Sequence, residues 1–139
     1  MEVNTDHLHD LIEAATAVRD RAYAPYSKFL VGAALLDDDG GIHVGCNVEN
    51  VSYGLTQCAE RAAVTAAVAA GKRSLSTCVI VTDTPEPTMP CGACRQVLSE
   101  LNPNMTVVSV TTSGTSTTTS LSELLPSAFD GDALERGTK

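Results

Sequence analysis

The chain is short of positive charge: nine Lys plus Arg stand against seventeen Asp plus Glu, a formal net charge of −8. A protein that neutralises phosphates needs a basic face, so nucleic acid and anionic membrane surfaces are disfavoured as partners. The balance suits a neutral small molecule better than a polyanion. Long apolar runs are missing too, and none approaches the roughly 20 residues that cross a bilayer. The stretch from Met1 to Asp10 is polar and acidic and has no signal-peptide pattern, which predicts a soluble, cytoplasmic protein. Phenylalanine occurs only twice, at Phe29 and Phe129. The five cysteines, Cys46, Cys58, Cys78, Cys91 and Cys94, are an odd number. With no export signal, that count argues against a disulfide framework and for metal ligation or catalysis.

What is present suffices for a core. The 139 residues are 43% hydrophobic, which predicts one domain over 1–139, with 1–3 and about 131–139 mobile. Leu8, Leu11, Ile12, Ala15 and Val18 recur at helical spacing, predicting a helix from about Asn4 to Ala22. Ala24-Pro25-Tyr26-Ser27 breaks it. Phe29 to Leu36 reads as a buried strand, Asp37 to Gly41 as a solvated turn, and Ile42 to Asn47 as the returning strand. Asn47 to Gln57 is a polar loop. Thr56 is a candidate N-cap for a helix from about Cys58 to Ala70, which Gly71 ends. Thr77 to Thr82 is a second buried strand. Pro90 suits a first helical turn, so a third helix is expected from about Cys91 to Leu101. Met105 to Val110 is another strand. The Ser/Thr-rich segment 111–120 reads as a polar turn plus a strand, and Ser122 to Leu125 as a short helix. The order α-β-β-α-β-α-β, with one further strand, implies a mixed α/β sheet covered by helices.

The strongest chemical signal is Cys58-Ala59-Glu60, followed after twenty-nine residues by Pro90-Cys91-Gly92-Ala93-Cys94. Three thiolates and one open position form a zinc arrangement suited to catalysis. Cys91 and Cys94 are three apart on one helix and face the same way. Two helix N-termini would converge on the metal, lowering thiol pKa and offsetting thiolate charge. Glu60 lies two residues from a ligand, placed to act on a water at the metal without ligating it. This is the layout of zinc deaminases: three ligands, a water, a proton-shuttling Glu, and a proline before C-x-x-C.

These motifs resemble the short, three-cysteine cytidine deaminases. The resemblance runs from about Tyr23 to Phe129. It is carried by Ala24-Pro25-Tyr26-Ser27-Lys28-Phe29, Val31-Gly32-Ala33-Ala34-Leu35, Gly45-Cys46-Asn47-Val48-Glu49-Asn50, Cys58-Ala59-Glu60-Arg61 and Pro90-Cys91-Gly92-Ala93-Cys94-Arg95-Gln96-Val97-Leu98. Leu124-Leu125-Pro126 and Phe129 complete it. The resemblance implies a three-layer α-β-α fold with a central mixed sheet of about five strands. It implies one Zn²⁺ per chain on Cys58, Cys91 and Cys94, with Glu60 as the catalytic proton carrier. Asn47 and Glu49 would hold the ribose and Phe29 would pack on the pyrimidine. Phe129 would reach the base bound to a neighbouring subunit of a homotetramer with shared active sites. Arg61 would donate to the cysteine sulfurs. Three thiolates on Zn²⁺ leave a net charge of −1, and a guanidinium beside them withdraws part of that excess. The implied reaction is hydrolytic deamination of cytidine and deoxycytidine, a step of pyrimidine salvage.

Plainer readings compete. C-x-x-C alone could be a redox pair, and the zinc could be purely structural. Cys46 and Cys78 read as small buried residues. His7, His9 and His43 read as solvated or packing groups. Glu49 could be a solvated carboxylate, Asn47 a loop residue bonding backbone, and Phe29 a core residue. A blasticidin-type deaminase would resemble this chain in its zinc motif, but that pattern lacks counterparts of Glu49, Arg61 and Phe129. A silent zinc- or nucleoside-binding module would have no need of Glu60.

Overall fold

A computed structural model describes residues 4–137. Helix α1 (Thr5–Arg19) begins at Asn4, whose side chain accepts from the Asp6 N–H. Strands β1 (Val31–Asp37) and β2 (Ile42–Cys46) follow, then helix α2 (Ala59–Ala69) and strand β3 (Leu75–Thr82). Helix α3 (Gly92–Leu101), strands β4 (Thr106–Thr111) and β5 (Ser116–Ser120), and two short helices, α4 (Leu121–Leu124) and α5 (Gly131–Gly137), complete the chain. The sheet order is β2-β1-β3-β4-β5. The β3–β4 pair is parallel, and the other three pairs are antiparallel.

Alternation along the central strands divides two cores. Ala33, Leu35, Cys78, Ile80 and Val107 face one side and pack with Ala59, Ala63 and Ala67 of α2 and Leu98 of α3. Ala34, Leu36, Val79, Val81, Val108 and Val110 face the other, against Leu11 and Ala15 of α1. A sheet covered on both faces needs apolar residues at successive positions, which is why β1 and β3 read as continuous hydrophobic runs. The result is the expected three-layer α-β-α arrangement. Two glycines let the layers approach. A Cβ on Gly32 would lie 2.0 Å from the Ala15 carbonyl oxygen, and one on Gly45 would lie 2.3 Å from the Ala63 nitrogen.

Several boundaries differ from the sequence expectation, each for a local reason. Helix α1 stops at Arg19, where the Arg21 and Ala22 N–H groups turn back to the Val18 and Arg19 carbonyls, both at 3.0 Å, in a tighter turn. Strand β1 starts at Val31 rather than Phe29, because the Phe29 carbonyl is taken by Asn47 Nδ2 at 2.7 Å. Thr56 does not cap α2; its hydroxyl accepts from the Asn50 N–H at 3.2 Å, and Cys58 is the N-cap. Cys91 likewise caps α3, leaving Pro90 one residue outside the helix. The Ser/Thr-rich segment is a turn with Gly114 at φ +100° leading into β5, as expected. Within the tail of about 131–139, Gly131–Gly137 form helix α5, whose start is held by Asp130 accepting from the Ala133 N–H at 2.7 Å; residues 1–3 and 138–139 lie outside the described residues. The turn after β1 is not simply solvated. Asp37 is buried, and its carboxylate meets His43 Nε2 at 2.8 Å and accepts from the Asp39 and Gly41 N–H groups. Among the described residues no helix is long and apolar enough to cross a membrane.

Candidate active site

The first residues of α2 and α3 meet at one end of the sheet. Cys58 and Cys91 each occupy an extended N-cap position, and neither uses its side chain to cap the helix. Both sulfurs are therefore free to turn toward a common point, where Cys94, one turn into α3, joins them. The three Sγ atoms lie within 4.8 Å of one another. Cys58 and Cys91 are 4.0 Å apart, Cys91 and Cys94 3.5 Å. Zn–S bonds of about 2.3 Å at tetrahedral angles separate sulfurs by roughly 3.8 Å, so this donor set fits zinc. Cys46 and Cys78 stand apart from the cluster, and Cys78 is fully buried in the core.

The electrostatics favour thiolate. Hydrogen bonding from Cys94, and then from Arg61, draws the Cys58 thiol down to about 5, while Cys94 is pushed up by the same Cys58 contact and by burial. All three sulfurs must be deprotonated to ligate a metal, so binding would release protons. Arg61 Nη2 reaches Cys58 Sγ at 3.3 Å and the Thr56 carbonyl at 3.4 Å. This is the sulfur contact expected of Arg61. Its Nε is buried without a partner among the described residues.

Glu60 is 5% exposed and lines the same cavity as Cys58 and Cys91, a space of about 200 Å³. Burial raises its carboxyl above the ordinary range, which suits a group that must both take and give a proton near neutral pH. Phe29, Val31, Ile80 and Met89 supply apolar walls, and Asn47, Thr56, Thr82 and Thr88 add polar atoms.

Asn47 is buried and binds backbone: Oδ1 accepts from the Val31 N–H at 2.9 Å and Nδ2 donates to Phe29. It therefore fixes the strand start that presents Phe29 and Val31. Glu49 faces an adjoining hollow with Tyr26, Ser27, Tyr53 and Thr56, of which Thr56 also lines the main cavity. Its Oε1 accepts from the Tyr26 and Ser27 N–H groups at 3.0 and 3.1 Å, and its Oε2 accepts from the Ser27 hydroxyl. The Ser27 hydroxyl bond, followed by these N–H groups, holds its carboxyl below the usual range. Lys28, in this turn, has φ +62°, a conformation sparsely populated by residues with a Cβ.

Phe129 is not brought to this cavity. It is 61% exposed and is tied to α3 by Gln96, whose Nε2 donates to its carbonyl at 2.6 Å. It lines a separate hollow with Ser99, Pro103 and Leu125. Thr82 and Thr88 were not singled out from the sequence, where Thr82 is only the end of a strand. The available signal was position, since ligand sites in α/β sheets favour the carboxyl ends of strands.

Comparison with known proteins agrees with this geometry. The family model for the cytidine and deoxycytidylate deaminase zinc-binding region matches residues 5–110. The cytidine deaminase of Sporosarcina psychrophila is 48% identical over 125 residues, covering 89% of this chain and 92% of that protein. Cytidine deaminase from Mycobacterium tuberculosis is 46% identical over 122 residues, covering 88% of this chain and 89% of that one. The crystal structure of cytidine deaminase from Burkholderia pseudomallei superposes with a TM-score of 0.84 at 53% identity, covering 87% of this chain and 98% of that one. Sulfur cluster, buried carboxylate, sheet order and these matches agree, and the chain belongs to the cytidine deaminase family.

Proposed function

We propose that the chain hydrolyses the exocyclic C–N bond of cytidine and deoxycytidine, consuming water and releasing uridine or deoxyuridine and ammonia. The observation that carries this reading is the three-sulfur cluster sharing one cavity with the buried carboxylate of Glu60. When bound by Cys58, Cys91 and Cys94, Zn²⁺ supplies Lewis acidity that makes water a nucleophile near neutral pH. Glu60 accepts the proton of that water and delivers it to ring N3, which avoids building an anion on the ring. It then takes the remaining proton of the attacking oxygen and passes it to the amine, so that the C4–N bond breaks, ammonia leaves and the C4 carbonyl forms. One carboxylate can serve all three atoms because it lines the same cavity as Cys58 and Cys91. Its burial keeps competing water away and its affinity for protons high.

The remaining residues bind and orient. Phe29, Val31 and Ile80 form the apolar slot for the ring. Asn47 keeps a second amide hydrogen and a second carbonyl lone pair free for the sugar. Glu49 has the negative charge to accept from a ribose hydroxyl, and the Tyr26 and Ser27 N–H groups hold it in place. Arg61 tempers the charge on Cys58. Phe129, exposed and far from its own cavity, is free to cover the base held by a neighbouring subunit. Val51, Tyr53 and Leu55, all more than 70% exposed beside the Glu49 hollow, are apolar surface suited to burial in a homotetramer with shared sites. On this reading the chain acts in pyrimidine salvage in the cytoplasm.

The test is cytidine turnover, followed by the ultraviolet change on conversion to uridine, with zinc measured on the same sample. Turnover with about one zinc per chain is expected. Full zinc with no turnover of either nucleoside would reject the substrate and leave a binding module.

A further inference from the structure

The segment joining β3 to α3 carries three hydroxyls with no part in the chemistry above. Thr82, at the end of β3, is 1% exposed, and Thr84 and Thr88 follow it in the loop. Thr82 and Thr88 line the catalytic cavity and Thr84 does not. Their oxygens form a triangle: Thr82 to Thr84 is 2.8 Å, Thr84 to Thr88 is 3.2 Å, and Thr82 to Thr88 is 3.4 Å.

Each hydroxyl has one hydrogen and two lone pairs, so the direction of every bond can be counted. Thr84 Oγ1 lies 2.6 Å from the Glu86 carbonyl, which can only accept, and this commits the Thr84 hydrogen. Thr82 then donates to Thr84 over 2.8 Å, the shorter of its two options. Thr88 donates to the same oxygen over 3.2 Å. All three hydrogens are thereby drawn toward Thr84 and Glu86. In this arrangement the lone pairs of Thr82 and Thr88 receive no donor among the described residues, and both residues line the cavity.

We propose that Thr82 and Thr88 form an acceptor-only wall that binds the amine of the substrate and rejects the keto oxygen of the product. This rests on the deaminase reading. A cytosine ring offers one donor group, the exocyclic amine, and two acceptors, N3 and O2. Lone pairs attract only the amine. The amine is also the group that is replaced, and Thr88 precedes Cys91 by three residues in the same cavity wall. After reaction an acceptor oxygen stands in the amine's place and meets the wall's lone pairs, which weakens product binding. A buried polar group left facing a like group is costly, so such walls discriminate strongly. Thr84 is the positioning residue, because it fixes the two hydroxyl hydrogens without lining the cavity.

The experiment compares the KM for cytidine with the inhibition constant of uridine in the wild type, Thr84→Val, Thr88→Val and Thr88→Ser, all checked for zinc content. Thr84→Val frees the hydrogens of Thr82 and Thr88 to turn into the cavity. Uridine should then bind about 3- to 10-fold tighter while the cytidine KM rises. Thr88→Val should raise the cytidine KM about 3- to 10-fold without weakening uridine, and Thr88→Ser should restore it. A purely structural role would move both constants together, and that outcome overturns the proposal. Unchanged constants in both valine variants overturn it equally. A zinc-replete wild type that leaves cytidine untouched overturns the deaminase reading itself, and this proposal with it.

Discussion

Cys58, Glu60, Cys91 and Cys94 stand at the starts of two packed helices, and Cys94 and Glu60 are buried. The recognition side is loop: Phe29, which lines the cavity, is 40% exposed, and Tyr26 and Tyr53, which line the adjoining hollow, are 47% and 74% exposed. The sulfur end takes its geometry from helices anchored in the core of Ala59, Ala63, Val64 and Leu98. The loop side takes its geometry from two side chains: Glu49, which accepts from the Tyr26 and Ser27 N–H groups, and Asn47, which accepts from the Val31 N–H and donates to the Phe29 carbonyl. Chemistry is thus held by packing and recognition by hydrogen bonds. Packing tolerates no adjustment, while a hydrogen-bonded loop can tighten around a ligand.

Substitutions can break that contrast. The largest effect is expected for Glu60→Gln: kcat falls about 10²- to 10⁴-fold while zinc content and fold stay intact, by steady-state kinetics and metal analysis. Near-normal turnover would remove Glu60 from the proton path. Arg61→Ala should keep the fold but weaken zinc retention or activity about 10- to 100-fold, read by chelator competition; wild-type rate and zinc content together would show that the sulfurs need no counter-charge. Glu49→Gln should act on the loop side, raising KM about tenfold with a smaller change in kcat. A kcat loss equal to that of Glu60→Gln would erase the distinction between the two ends.

Asp37→Asn lies at the far end of β1 and should leave kcat at neutral pH unchanged. His43, then the Gly41 N–H, hold the Asp37 carboxyl at about 2, below its unfolded value. A depressed carboxylate stabilises the fold above about pH 4, and that contribution is lost as pH falls toward 2. The variant's thermal midpoint should therefore fall less steeply than the wild type's over that interval. Parallel profiles would show that the Asp37–His43 contact carries no stability.

The two ends also differ in how far the sequence revealed them. Ligands and carboxylate were legible because C-x-E and P-C-x-x-C fix their spacing on helices, where three residues make one turn. The order of elements along the chain and the mixed sheet were legible from the run of apolar segments. Harder to read was anything set by a distant partner. The N-cap of α2 moved to Cys58 because Thr56 bonds Asn50 instead. The burial of Asp37 depends on His43 across a hairpin. The hydroxyl triangle appears only when the chain brings residues 82, 84 and 88 together. Single residues with several available partners carry no periodicity from which to read such contacts.

Gly45 sets a dimension of the active site through an atom it lacks. Helix α2, which delivers Cys58 and Glu60, rests on β2 where a methyl carbon would lie 2.3 Å from the Ala63 nitrogen. Restoring ordinary contact would lift the helix by about 1 Å, a displacement that by itself can cost a hundredfold in rate. Position 45 therefore acts as a spacer of zero thickness. Drift there would be felt first as a mis-set gauge between carboxylate and substrate, well before the sheet came apart.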